Sequence, residues 1–147
     1  SNDGIETDKV YPYTAADGKC KAVSALSSAK VDTIVDLKSE KDMINAVQTV
    51  GVISVAMNAN TLQYYQAGDV LKDSIVKCNP LGLNHGVNIV GVDVKEKVWI
   101  FRNSWGTGWG DKGYFKVAIT GSNYGVCGIN RFPSYATVVK KSSSFIA

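Results

Sequence analysis

The sequence of 147 residues has one histidine, three prolines, three cysteines and a net charge of only +3, and each shortage narrows what the chain can be. No stretch approaches the roughly 18 consecutive apolar residues that cross a bilayer as a helix. The opening run from Ser1 to Val10 has neither the basic start nor the apolar core of a secretion signal. A start on serine rather than methionine suggests a processed or truncated product, although loss of an initiator methionine leaves the same trace. The lysines are scattered, and Lys140-Lys141 is the single adjacent basic pair, so no basic stripe for a nucleic acid is expected. With 45% hydrophobic and 20% charged residues the composition is that of a folded chain, long enough for one compact unit with its own core. Three cysteines, Cys20, Cys78 and Cys127, leave one over in an oxidising compartment. Three reduced thiols in a cytosolic core account for them equally well.

What is present is organised by period. Turn signals crowd residues 1–30, around Tyr11-Pro12-Tyr13 and Asp17-Gly18, which reads as chain winding over a surface. From Ser39, the positions Met43, Ile44, Val47 and Val50 recur at helical spacing. Ser39 is a candidate N-cap, Glu40 and Asp42 suit the first turn, and Gly51 stops the helix. Five apolar, β-branched runs of strand length follow at 51–57, 87–93, 97–103, 113–119 and 134–139. Residues 61–66 suit one helical turn packing Tyr64 and Tyr65 on that sheet. The expectation is an α+β chain, sheet-rich after residue 51, antiparallel and partly closed, with a few short helices.

Two clusters carry candidate chemistry. Leu83-Asn84-His85-Gly86-Val87 opens one predicted strand, and Asn103-Ser104-Trp105-Gly106-Thr107-Gly108-Trp109-Gly110 closes another. A lone histidine, or an asparagine at a strand end, says little alone. Together, the second cluster with its continuation to Phe115, the segment from Asn84 to Gly91, the segment from Gly4 to Cys20 and the run Asn123–Ile129 resemble the papain family of cysteine proteases, in the cathepsin L-like manner. The resemblance extends to about residue 139.

The resemblance implies the sheet-rich half of a two-domain fold whose active site lies in the cleft between the halves: 1–38 an irregular segment bordering the other half, 39–139 the sheet-rich half, 140–147 a tail. It implies His85 as the base that takes the proton of a cysteine thiol and later delivers it to the leaving amine. Asn103 matches the residue that orients the imidazole, and Trp105 the indole that covers their contact. Ala56, Leu83, Gly86 and Phe132 match the pocket for the second substrate residue on the acyl side, with medium apolar side chains preferred there. Cys78 and Cys127 correspond to a disulfide, and Cys20 to a cysteine that pairs with the other half. Asn84 departs from the pattern, standing where an aspartate is often found. Neither a cofactor nor a metal is implied.

The family's nucleophile lies about 130–150 residues before the histidine and asparagine, hence roughly 45–65 residues before Ser1. None of the three cysteines here has its flanking pattern, and the oxyanion donors are likewise upstream. The chain by itself is therefore expected not to hydrolyse peptides. Its expected partners are a peptide or protein substrate and the nucleophile-bearing half, reached through Cys20, with no nucleic acid or membrane among them and a lysosome-like or secreted location for the complete protein. The competing reading is a papain-like binding protein whose nucleophile has been replaced. An exopeptidase needs a blocking segment that these residues do not supply. No Asn-x-Ser/Thr acceptor occurs among them.

Overall fold

The computed structural model describes residues 4–138. Its single α-helix, α1 (Glu40–Thr49), begins where predicted: the Ser39 hydroxyl accepts from the Asp42 N–H at 3.1 Å and donates to the Asp42 carboxylate at 2.8 Å. Both acidic residues sit in the first turn, where the orphan N–H groups and the helix dipole favour negative charge. The buried stripe differs from the predicted one by a small rotation. Met43 and Ala46 are buried, whereas Val50 caps the C-terminus and is exposed.

The strands are β1 (Val31–Asp36), β2 (Ile53–Met57), β3 (Val70–Leu71), β4 (His85–Asp93), β5 (Val98–Arg102), β6 (Tyr114–Ala118) and β7 (Ser134–Val138). All five predicted runs contain a strand. β4 starts two residues earlier than predicted, at His85 itself, and two strands lie outside the predicted runs. β1 falls in the stretch read as irregular, because its alternation is weak and nearly every residue in it is exposed. β3 is only two residues long. The predicted turn at 61–66 is a 3-10 turn, Leu62–Tyr64; it buries Leu62, and of the two tyrosines only Tyr65 packs inward, Tyr64 facing solvent. Val139 and the predicted tail 140–147 lie outside the described residues.

Two compact units divide the described residues at Val35/Asp36 and Tyr135/Ala136. In the smaller, Ile5 bridges Ala29, the Glu6 carboxylate accepts from the Val23 N–H, and the Thr33 N–H donates to Thr137 Oγ1 at 3.1 Å. In the larger, the strand order is β7-β2-β4-β5-β6-β3. The ladders are antiparallel except that β3 pairs parallel with β6. The class is thus the expected one, α+β and sheet-rich. The order is linear, and among the described residues no pairing joins β7 to β3, so the sheet stays open where partial closure was expected.

Alternation along the strands builds the core. Ile53, Val55 and Met57 of β2 point to the same side as Val87 and Ile89 of β4, Trp99 and Phe101 of β5, and Phe115 and Val117 of β6. Met43 and Ala46 of α1 pack on that side. Cys78, in the loop before β4, is bonded to Cys127 in the 3-10 turn Val126–Gly128, with Cα atoms 5.2 Å apart. The two loops meet tightly: a side chain at Gly128, whose φ is +89°, would come within 2.4 Å of the Pro80 carbonyl oxygen. The cysteine pair expected from the family resemblance is therefore present.

Candidate active site

His85 is held from behind by a set of asparagines. The Asn84 N–H donates to the Met57 carbonyl at 3.1 Å, and Met57 is the register partner of His85 across β2 and β4. The Asn84 side chain accepts from the Ala59 N–H at 2.9 Å and donates to Asn60 Oδ1 at 2.8 Å. Behind it Asn58, buried, accepts from the Asn60 N–H and donates to the Asn79 carbonyl at 3.0 Å. Each amide thus has its donor and acceptor ends specified, which pins the loop after β2 to the residue preceding His85. In the sequence Asn84 stands out only as a departure from a pattern, and Asn58 does not stand out at all. Four asparagines at 58, 60, 79 and 84 were the available signal, but nothing in their spacing says that they meet.

Asn103 stands one residue past β5. Its N–H donates to the Gly113 carbonyl at 2.9 Å, closing the glycine-rich loop 103–113 on itself, and the residue is 5% exposed. One step beyond the Asn88–Arg102 pair, Asn103 falls level with Val87. His85 lies two residues along β4 on the side where Val87 points. The contact follows: His85 Nε2 and Asn103 Oδ1 are 2.9 Å apart.

The direction of that hydrogen bond can be derived. The same Asn103 Oδ1 lies 2.8 Å from the Ser104 N–H. A backbone N–H only donates, so the atom it meets must be the amide oxygen rather than the nitrogen. An oxygen already identified as acceptor can bond the imidazole only if Nε2 carries the proton. In the neutral ring Nδ1 is then the unprotonated nitrogen, and it has no hydrogen-bond partner among the described residues.

Trp105 flanks the pair, its ring centre 5.2 Å from that of His85 with the planes at 34°. It is 42% exposed, so it shields one side of the contact and leaves its own outer side open to solvent. Trp109 meets it edge-on at 5.1 Å and is itself packed between Tyr65 and Phe115. The tryptophan beside the histidine is thereby anchored to the core through a second tryptophan.

Of the four residues matched to the acyl-side pocket, Ala56 and Gly86 are direct register partners on β2 and β4. Ser54 pairs with Ser134, and Phe132 stands two residues before that pair, ahead of the start of β7. Phe132 is exposed, Gly86 has open space where a side chain would be, and Leu83 packs against Gly128 two residues before the histidine. Ala56 and Gly86 therefore fall on the side away from the core, opposite the His85 side chain across β4. Cys20, exposed, lies in the smaller unit. Among the described residues no group of three or more His, Cys, Asp or Glu could hold a metal ion, and no helix is long and apolar enough to cross a membrane.

A family model for papain family cysteine proteases matches residues 1–137. Procathepsin L of Mus musculus is 38% identical over 146 residues, covering 93% of this chain and 42% of that protein. The thiol protease aleurain of Arabidopsis thaliana is 38% identical over 147 residues, covering 94% of this chain and 39% of that protein. Among solved structures, digestive procathepsin L 3 of the Tenebrio molitor larval midgut superposes with a TM-score of 0.75 at 36% identity, over 90% of this chain and 44% of that one. The bromelain protease of Ananas comosus, in complex with the E64 inhibitor, also gives 0.75, at 35% identity over 94% of this chain and 65% of that one. The chain spans less than half the length of the curated relatives it matches. This chain belongs to the papain family of cysteine proteases.

Proposed function

We propose that this chain is the base-bearing part of a cysteine endopeptidase. The observation that carries the reading is the His85 Nε2 to Asn103 Oδ1 contact at 2.9 Å, with the oxygen identified by the Ser104 N–H. It leaves Nδ1 as the imidazole atom able to accept a proton. A thiol is a weak nucleophile until it is deprotonated, and an adjacent imidazole that takes the proton leaves a thiolate beside an imidazolium. The thiolate attacks the peptide carbonyl, and Nδ1–H then returns the proton to the leaving nitrogen. Asn103 keeps the ring from turning Nε2 toward the nucleophile, and Trp105 restricts water at the Asn103 contact.

The nucleophile and oxyanion donors belong to the segment upstream of Ser1, so this chain alone is inactive. Residues 1–38 border that other half and offer Cys20 to it, 39–139 form the sheet-rich half, and 140–147 are a tail. Phe132, Ala56, Gly86 and Leu83 line the pocket for the second acyl-side residue; small Ala56 and Gly86 open it and Phe132 shortens it, which favours medium apolar side chains. Peptides or proteins are the substrates. The Cys78–Cys127 bond supports an oxidising, secreted or lysosome-like route for the complete protein.

The test is to treat the complete polypeptide with an epoxide that alkylates active-site cysteines and to map the adduct by mass spectrometry. One upstream cysteine is expected to react, with His85→Ala slowing peptide hydrolysis by about 10²–10⁴-fold. Alkylation of Cys20, Cys78 or Cys127 instead would overturn the reading. An upstream serine or glycine in place of the cysteine would make the protein a peptide-binding relative.

A further inference from the structure

Phe132 stands on a short segment that is fixed on both sides. On one side Asn130 is tied to the start of α1: its Nδ2 donates to Glu40 Oε1 and to the Ser122 carbonyl, both at 2.9 Å, while Glu40 Oε2 accepts from the Gly121 N–H at 2.8 Å. The Asn130 N–H donates to the Tyr124 carbonyl at 2.9 Å, and the Arg131 N–H to the Gly128 carbonyl at 3.1 Å. On the other side Pro133 is buried, and its carbonyl accepts from the Leu37 N–H at 2.9 Å. The backbone that carries Phe132 therefore has little freedom, and what can still move is the side chain. Phe132 is 63% exposed and lies outside the core, and among the described residues no aromatic ring stacks on it.

The group that meets its ring is the Arg131 guanidinium, 5.1 Å from the ring centre. The same guanidinium lies 6.0 Å from the centre of the Tyr124 ring. Arg131 is half-buried, and Lys38 with Asp36 forms the single ion pair among the described residues, so no carboxylate draws it elsewhere. A guanidinium over an aromatic face is attracted by the ring quadrupole, and a planar cation met by two rings is restricted in orientation. It restricts Phe132 in turn, because rotation of that side chain about χ1 to another staggered well carries the ring away from the cation.

We infer that Arg131, framed by Tyr124, is a positioning residue that sets the specificity of the peptide pocket by holding the Phe132 ring in place. The inference rests on the proposed function for the assignment of Phe132 to the pocket of the second acyl-side residue. With the ring held, the pocket stays short and takes medium apolar side chains. With the ring released, Phe132 swings aside and the pocket lengthens toward aromatic side chains. A cation–π contact at an exposed site corresponds to a roughly two- to fivefold effect on an equilibrium, so Arg131 tunes selectivity and does not switch it.

The test uses the complete polypeptide and two fluorogenic peptides that differ only in carrying leucine or phenylalanine at the second acyl-side position. The measured quantity is the ratio of kcat/KM for the leucine peptide to that for the phenylalanine peptide. Arg131→Ala is expected to lower this ratio about threefold, Arg131→Gln likewise, and Arg131→Lys, which keeps the cation, by less. In a Phe132→Leu background, Arg131→Ala should leave the ratio unchanged, since there is no ring to hold. A general loss of folding or of catalysis lowers both values of kcat/KM together and does not move their ratio. An unaltered or raised ratio in Arg131→Ala would overturn the inference, and so would an equal shift in the Phe132→Leu background or an equal shift for lysine and alanine. If Arg131→Ala does not fold, Arg131→Gln decides. If the complete polypeptide hydrolyses neither peptide, the catalytic reading fails, and the ratio is read instead from the dissociation constants of the two peptides. A threefold change there on Arg131→Ala upholds the clamp, whereas an unchanged ratio, or no binding of either peptide, overturns it.

Discussion

Asn103 Oδ1 holds two donors at once, the Ser104 N–H and His85 Nε2, and that sharing is what commits the imidazole to one tautomer. Asn103→Ala removes the acceptor and frees the ring to rotate. In the complete polypeptide we expect kcat to fall about 10²-fold or more with a smaller change in KM, measured by steady-state hydrolysis of a peptide substrate. That His85, Asn103 and Trp105 belong together was an implication of the family resemblance, and the three side chains do meet. The tautomer was not, because it depends on a 2.8 Å contact with the next residue's backbone that no sequence spacing encodes.

Tyr65 is the residue with a perturbed titration. Burial raises its pKa, the Lys116 N–H that donates to the phenol oxygen partly offsets this, and the charges of Asp69 and Asp111 add to the rise. The neutral phenol is the folded form and donates to the Asp69 carbonyl at 2.8 Å. Because the folded value is raised, the stabilisation is fully present below the unfolded value of about 10 and is lost as pH climbs through the folded value. Denaturation midpoints should therefore show a decline above about pH 10 that Tyr65→Phe makes shallower, at the cost of its two hydrogen bonds. An identical alkaline slope in that variant would contradict this account.

At the scale of elements, α1 was legible because its signals are local. The Ser39 cap, the acidic first turn and the apolar spacing all lie within about one helix length and agree with one another. Ser39→Ala should cost about 1 kcal/mol, read as a lower midpoint in urea with an unchanged slope. β1 and β3 were not legible, since an exposed strand and a two-residue strand exist only through their neighbours: β1 beside the end of β7, β3 beside β6. The turn carrying Cys127 also depends on a distant element. Gly128 has a φ of +89° and lies against the Pro80 carbonyl, so Gly128→Ala meets both backbone strain and a clash. It should destabilise by more than the roughly 1 kcal/mol of an ordinary glycine replacement, seen as a drop in thermal midpoint.

On the scale of the whole molecule, the Cys78–Cys127 bond closes a loop of 49 residues that contains His85 and Asn103. Chain-entropy reasoning gives about 4 kcal/mol for a loop of that length. Reduction with alkylation should lower the unfolding free energy by roughly that amount, and a change under about 1 kcal/mol would mean that the unfolded chain retains structure here.

The residues by themselves determined the class of the chain, the helix and the five main strands, which rest on local periodicity, and a motif read along the chain pointed to the family and, through it, to His85 and Asn103 as candidates. Only the tertiary structure decided how the parts meet. The open strand order, the asparagine set behind His85 and the anchoring of Trp105 through Trp109 depend on register between strands far apart in sequence. A shift of one residue in that register turns every side chain to the opposite face. Composition and spacing name the groups that can react, and the register decides which of them face one another.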